Sequence, residues 1–249
     1  MSDQLHIKEI FSSIQGEGLL AGRRQIFVRL TECNLDCRYC DTDFVRSEVC
    51  RLETRPGSGA FRDLPQSQSL QKLSSVCSDW LAQLPGAHHS ISFTGGEPLL
   101  SADILAGWFP ELRKILPIHL ETNGTMLVAL QKVLPHVDFI SMDMKLPSTA
   151  GCTEHLWDLH ALFLREACGR VVSVKVVVGE DTPESEIVQV CDVIAAVDPV
   201  VPLYLQPVTV EGGKVGISAA RILRLQECAA SRLPDVRVIP QMHLMLGAL

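Results

Sequence analysis

Short runs of β-branched residues alternate along the chain with longer stretches whose apolar positions recur every three to four residues. The first pattern predicts strands at roughly 5–10, 25–31, 90–94, 117–121, 138–143, 171–178, 202–206 and 235–239. The second predicts helices at roughly 69–84, 101–116, 125–134, 153–167, 183–197 and 217–231. The helix from 183 is the best marked: Thr182 suits its N-cap, Pro183 its first helical position, and Ile187, Val190, Ile194 and Val197 form one apolar stripe. Ile222, Leu225 and Ala229 do the same for the last helix. Strand and helix in turn imply a parallel sheet covered by helices, either a full or partial β/α barrel or an open doubly wound sheet. From Glu53 to Ser69 the periodicity fails and Gly, Pro and Ser gather, so a loop insertion at about 45–68 is expected within one domain spanning 1–249.

Composition then narrows the class. At 249 residues, 47% hydrophobic and 20% charged, the chain has the balance of a soluble globular protein with a sizeable core. Its longest apolar runs, such as Val171 to Gly179, are broken by charge and fall short of the roughly twenty residues a membrane helix needs. The start, MSDQLHIKEIF, lacks the pattern of a secretory signal, so a cytoplasmic protein with no membrane contact is expected. A formal charge of -7 argues against a nucleic-acid partner, because that binding rests on neutralising phosphates. The nine cysteines are an odd count and do not read as a disulfide framework. Cys77, Cys152, Cys168, Cys191 and Cys228 stand singly, mostly in apolar stretches, and are expected in the core.

Five strands end in polar or glycine-rich clusters: Thr31-Glu32-Cys33, Thr94-Gly95-Gly96-Glu97-Pro98, Glu121-Thr122-Asn123-Gly124, Asp143-Met144-Lys145 and Gly179-Glu180-Asp181. Each alone reads as a turn. Gathered on the carboxyl edge of a parallel sheet, they point to a site. In CNLDCRYCDT, Cys33, Cys37 and Cys40 can converge on one metal centre from a single tight loop. Zinc would want a fourth ligand, Cys50 or a distant His, yet structural zinc usually draws two close pairs and no second pair is present. His88 and His89 are adjacent, precede a strand and are expected at the surface. Burial of the three cysteines as core spacers fits poorly with Asp36, Arg38, Asp41 and Asp43 around them. An iron-sulfur cluster on three thiolates leaves one iron open to a small molecule, which gives the missing fourth cysteine a function.

These residues resemble a known superfamily. Cys33-x3-Cys37-x2-Cys40 with Tyr39 before the last cysteine, together with Gly95-Gly96-Glu97-Pro98, resembles the motifs of radical S-adenosylmethionine enzymes. Glu9 to Gly18 (EIFSSIQGEG), Phe27-Val28-Arg29, Cys40-Asp41-Thr42, Glu121 to Gly124 and Pro240-Gln241-Met242-His243 are similar to the 7-carboxy-7-deazaguanine synthase family of queuosine biosynthesis. The resemblance implies a partial β/α barrel, a [4Fe-4S] cluster and S-adenosylmethionine cleaved to an adenosyl radical. It also implies ring contraction of 6-carboxy-5,6,7,8-tetrahydropterin, with loss of ammonia. Glycyl-radical-enzyme activases share the cysteine spacing and stand as the alternative within the superfamily; a zinc-binding interaction module is the alternative outside it.

By the same resemblance Cys33, Cys37 and Cys40 hold the cluster, and Tyr39, Cys40, Asp41, Gly96, Glu121, Asp143, Met144 and Lys145 surround S-adenosylmethionine. Ile14, Gln15, Gly16, Glu17, Arg29, Thr94, His243 and the terminal carboxylate of Leu249 meet the pterin, with Gln15 offering its amide to the ring edge and Arg29 pairing with the carboxylate. Thr42 resembles a Mg²⁺ ligand. A homodimer and an electron donor such as a flavodoxin or ferredoxin are implied as partners. Residues 45–68 have no assigned role, Cys50 stays open as a cluster contact, and Gln206-Pro207 ends a strand where a ligand would sit.

Overall fold

The computed structural model describes residues 4–40, 48–151, 156–210 and 212–248. One sheet organises them, its strands ordered β13-β10-β9-β8-β7-β6-β2-β1-β3-β4 with β5 beside β1. The strands are β1 (Gln4–Ile14), β2 (Arg24–Leu30), β3 (Val49–Glu53), β4 (Phe61–Pro65), β5 (Ser67–Ser69), β6 (Ser90–Gly95), β7 (Ile118–Thr122), β8 (Phe139–Asp143), β9 (Val171–Val178), β10 (Leu203–Pro207) and β13 (Val236–Val238). β11 (Thr209–Val210) and β12 (Lys214–Val215) form a separate small hairpin. From β2 to β13 all neighbours are parallel, whereas β1 runs antiparallel to β2.

Helices α1 (Leu70–Gln83), α2 (Ala102–Leu112), α3 (Leu127–Val133), α5 (Trp157–Ala167), α6 (Glu184–Val197) and α7 (Ala219–Ala230) fall where the apolar periodicity places them; α4 (Pro147–Ala150) and α8 (Met242–Leu246) are short additions. Their apolar stripes supply the core: Leu73, Val76 and Trp80 of α1, Leu105 and Phe109 of α2, Ile187, Val190 and Ile194 of α6, and Leu225 and Ala229 of α7 are all buried. The sheet does not close between β13 and β4, yet it curls until Glu17, just past β1, bonds to Lys175 of β9 and Gln206 of β10. That curl makes the partial β/α barrel.

Several expectations change. The stretch read as a loop insertion at about 45–68 contains β3, β4 and β5, a hairpin and a short strand that extend the sheet past β1. Cys50 and Leu52 point into the core, and the Gly- and Ser-rich segment is only the hairpin turn. Glu53 fixes it: its buried carboxylate accepts the N–H groups of Gly57 (3.0 Å), Gly59 (2.8 Å) and Ser12 (2.9 Å). β1 runs on to Ile14 because its later polar groups find partners, such as Ser12 Oγ with His88 Nε2 at 2.8 Å. His88 is therefore buried rather than at the surface. Thr182 does not cap α6. Its hydroxyl accepts from Gly179 N–H at 2.9 Å, closing the turn after β9, and Pro183 occupies the N-cap position. Cys77 and Cys191 are buried as expected, Cys168 and Cys228 partly so, and Cys152 lies outside the described residues.

Candidate active site

A cavity of about 440 Å³ opens at the carboxyl ends of the parallel strands. Ile14, Gln15, Gly16, Glu17, Arg29, Cys33, Cys37, Tyr39, Cys40, Thr94, Gly96, Glu121, Asp143, Lys145 and His243 all line it. Met144 does not: strand alternation sends Asp143 and Lys145 to the cavity and buries the Met144 side chain in the core. Asp41, Thr42 and Leu249 lie outside the described residues.

The cysteine loop is pinned at both ends. Arg38 N–H donates to Ala150 O (3.1 Å), and Asn34, bonded to Asn123 (2.8 Å) and Thr125 (3.0 Å), ties the loop to the segment after β7. Burial pushes the Cys33 thiol up, and coordination to a metal would act the other way by favouring the thiolate. Among the described residues no three Cys, His, Asp or Glu side chains converge on one point as a single ion requires. Thiols spaced along one loop suit a cluster, in which each takes a different iron. Cys50 is not among them. It is buried on β3, beyond β1, with its thiol pushed up to about 12 by desolvation.

Glycine is required where β6 meets that loop. A Cβ on Gly96 would overlap the Glu32 carbonyl, and Gly95 has φ +103°. Glu97, next in line, clamps two motifs together: its carboxylate accepts from Leu99 N–H (3.0 Å), Asn123 N–H (2.7 Å) and Thr122 Oγ1 (2.9 Å). Burial pushes it up to about 7, against those hydrogen bonds.

One wall carries a buried charge cluster. Lys145 Nζ lies 2.8 Å and Lys175 Nζ 3.1 Å from Asp143 Oδ2, Lys175 Nζ is 2.5 Å from Glu17 Oε2, and Lys145 also donates to Tyr39 Oη at 3.1 Å. Gln206 (3.2 Å) and Gln241 (2.8 Å) donate to Glu17 Oε1. Burial alone would raise both carboxylates, but the lysines hold Glu17 and Asp143 below their usual range. Lys175 and Gln241 are absent from the expected site; a single lysine inside VVSVKVVV was the available signal. Asp143 Oδ1 and Gln206 Oε1 are buried with no hydrogen-bond partner among the described residues. Two acceptors on the cavity wall fit the hydroxyl and amine donors of an adenosyl group.

The opposite wall suits a flat polar ring. Phe11 and Phe27 stack at 5.1 Å, and Arg29 gives its Nε to Glu9 (2.7 Å), leaving its terminal nitrogens for an anion. Gln15 is differently employed than expected. Its amide nitrogen donates to Gln25 (3.0 Å) and Glu121 (2.9 Å) and its oxygen accepts from Glu17 N–H (3.0 Å), so the pterin would meet backbone here rather than this amide. Glu121 sits among Gln15, Ser92 and Thr94, the proposed pterin side, rather than beside the charge cluster. At the far end Met242 N–H donates to Gly16 O (3.1 Å), and a Cβ on Gly16 would overlap the His243 ring, so the last segment closes directly on the SIQGEG loop.

Comparison with known proteins agrees with this arrangement. Residues 28–191 match the family model of the Radical SAM superfamily. The 7-carboxy-7-deazaguanine synthase of Geobacter sulfurreducens is 49% identical over 244 residues, 98% of this chain and 97% of its own. That of Methanothermobacter thermautotrophicus is 34% identical over 262 residues, 97% of this chain and 96% of its own. Among solved structures, QueE from Escherichia coli shares the fold with TM-score 0.63 at 24% identity, covering 96% of this chain and 94% of its own. A radical SAM methyltransferase from Sphaerobacter thermophilus does so with TM-score 0.60 at 13% identity, covering 91% and 72%. These relationships set aside the activase and the zinc module, and the chain belongs to the radical SAM superfamily and, within it, to the 7-carboxy-7-deazaguanine synthase family.

Proposed function

We propose that this chain converts 6-carboxy-5,6,7,8-tetrahydropterin into 7-carboxy-7-deazaguanine and ammonia. The observation that carries the reading is one cavity with two dissimilar walls: a three-thiol loop beside buried acceptors, facing stacked phenylalanines with an arginine at their edge. When bound, the cluster and S-adenosylmethionine supply removal of a hydrogen atom from C6 of the substrate. The protein's share is binding, orientation and exclusion of water. Cys33, Cys37 and Cys40 would anchor the cluster, and Tyr39, Gly96, Asp143 and Lys145 the cofactor. Arg29, Thr94, His243, the Gly16 backbone and Leu249 would hold the pterin. Thr42 would bind Mg²⁺, which commonly takes few protein ligands. The proposal includes a homodimer, a flavodoxin- or ferredoxin-type electron donor and a cytosolic setting; among the described residues no helix is long and apolar enough to cross a membrane.

The direct test is anaerobic reconstitution followed by S-adenosylmethionine, reductant, Mg²⁺ and the carboxypterin. Ammonia and the deazapurine acid are expected in equal amounts, and a cluster-replete sample that forms neither sinks the reading. Arg29→Ala should act on binding. Charge-assisted hydrogen bonds contribute about 1.5–3 kcal/mol each, so KM for the carboxypterin should rise about 10- to 100-fold. Cleavage of S-adenosylmethionine in the absence of substrate should stay near the native rate. An unchanged KM would remove Arg29 from the substrate wall.

A further inference from the structure

We infer that Ser92 and His119, which lie behind the cavity wall, form a proton-coupled switch that allows Glu121 to carry a proton during turnover. The inference rests on the proposed function for the chemistry it serves, but its structural content does not.

Residues facing the inside of a β/α barrel are usually branched and apolar. Here the register sets Gln25 beside Ser90, Ser92 beside His119, and Glu121 beside Ser141, all polar. Gln25, Ser90, Ser92 and His119 are fully or almost fully buried, and Ser92 and His119 are absent from the cavity lining. Their hydrogen-bond directions can be deduced from one fixed point. Glu17 N–H can only donate, and it meets Gln15 Oε1. The Gln15 nitrogen therefore faces Gln25 Oε1 and Glu121 Oε1. The Gln25 nitrogen in turn faces Ser90 Oγ (2.6 Å) and His119 Nδ1 (3.2 Å). His119 Nδ1 must then be an acceptor, and the ring hydrogen sits on Nε2, donating to Ser141 Oγ at 2.8 Å.

Ser92 completes the network with one hydrogen and two claimants. Its Oγ lies 2.7 Å from Glu121 Oε1 and 3.0 Å from His119 Nδ1. With Glu121 ionised, the Ser92 hydrogen goes to the carboxylate and His119 keeps its bond from Gln25. With Glu121 protonated, the carboxyl O–H donates to Ser92 Oγ, and the Ser92 hydrogen turns to His119. In the first state Gln25 fills the single Nδ1 lone pair; in the second the Ser92 hydrogen at 3.0 Å takes it and displaces the longer 3.2 Å bond from Gln25, and one hydroxyl rotation separates the two. A serine without an acceptor behind it would leave the protonated state with an unused donor.

The reaction gives such a switch work to do. Elimination of ammonia breaks a C–H and a C–N bond in the ring: the C–H pair becomes a double bond, the C–N pair leaves on nitrogen, and one proton passes from carbon to the departing amine. Glu121 takes that proton and returns it, ending as the carboxylate it began as, so no external oxidant or acid enters the balance. Glu121 is then the catalytic residue, and Ser92 and His119 are positioning residues. The titratable and charged groups around the network are His89 ahead of β6, Arg29 of β2, and, elsewhere on the cavity, Glu17, Asp143, Lys145 and Lys175. Burial holds His119 below its ordinary value, which keeps the ring neutral and able to accept.

The test has one arm on turnover and one without it. General acid–base groups contribute about 10²- to 10⁴-fold; impairing one through its support, Ser92→Ala should lower kcat for ammonia release about 10- to 100-fold with both KM values unchanged. Transfer of deuterium from substrate C6 to the adenosyl carbon should persist, the acidic limb of the kcat profile should move, and Ser92→Thr should restore both. In isolated protein, ¹⁵N spectra of His119 should show protonated Nε2 and bare Nδ1. The Nδ1 resonance should shift as Glu121 is titrated in the native chain and stand still in Ser92→Ala. A protonated Nδ1, or equal loss of deuterium transfer and ammonia release, overturns the switch. If the native protein does not turn over the carboxypterin, the proposed function fails while the nitrogen spectra still decide this inference.

Discussion

Cys37→Ala is expected to abolish cleavage of S-adenosylmethionine while leaving the fold intact. Cys37 lies on a loop at the cavity rim, so its side chain contributes little to the packed core. A cluster held by three thiolates has no spare protein ligand among the described residues, since Cys50 is committed to the core beyond β1. Iron and sulfide content after reconstitution should fall well below that of the native protein, and adenosyl product should drop to the level of the reductant alone. Cys50→Ala makes the opposite case: normal iron content with lower thermal stability, because a buried side chain is lost. A Cys37→Ala protein that retains full cluster content and cleavage would contradict the assignment of the loop.

The contrast between these cysteines shows how much was legible in the sequence. The thiol loop, the GGEP turn and the ETNG turn each follow a clear strand, and the structure brings all three to the same cavity. Local spacing was enough because each motif contributes from a strand end, where a parallel sheet gathers its loops. Positions that depend on distant pairing were not legible. VCRLE at 49–53 alternates well but is only five residues long and runs straight into a Gly-Pro-Ser turn, so its last residue, Glu53, whose carboxylate holds two glycine amides, reads as loop chemistry. Gln25, Ser90, Ser92 and His119 each read as ordinary polar positions in a strand; only the register makes them one network. Gln15 was legible as a cavity residue but not as an internal one, since its partners Gln25 and Glu121 come from other strands. Met144 shares a motif with Asp143 and Lys145, but alternation places its side chain on the other face, in the core.

Lys175 is the largest omission, and Lys175→Met should have the largest effect on stability. Its ammonium is buried and bridges Glu17, at the end of the SIQGEG loop, to Asp143, at the end of β8. Removing one partner from a buried ion pair costs about 3–5 kcal/mol, because the remaining charge is left uncompensated. Asp143 retains Lys145, but among the described residues Glu17 keeps only the amides of Gln206 and Gln241. The pH dependence follows in sign. In the native chain Glu17 and Asp143 lie below their ordinary values of 4.5 and 3.8, so their contribution is present above those values and is lost as pH falls through the folded ones. In the variant, burial without the lysine pushes Glu17 above its ordinary value, and its ionised form becomes a penalty that grows as pH rises. The stability gap between native and variant proteins should therefore be widest near neutral pH and narrow on acidification toward the ordinary carboxylate range. Urea unfolding at two pH values measures it. The same substitution should weaken both S-adenosylmethionine and pterin binding, because Glu17 and Asp143 fix the two loops that meet across the cavity. A gap that is small and independent of pH, with both affinities intact, would mean that the lysine does not hold the two walls together.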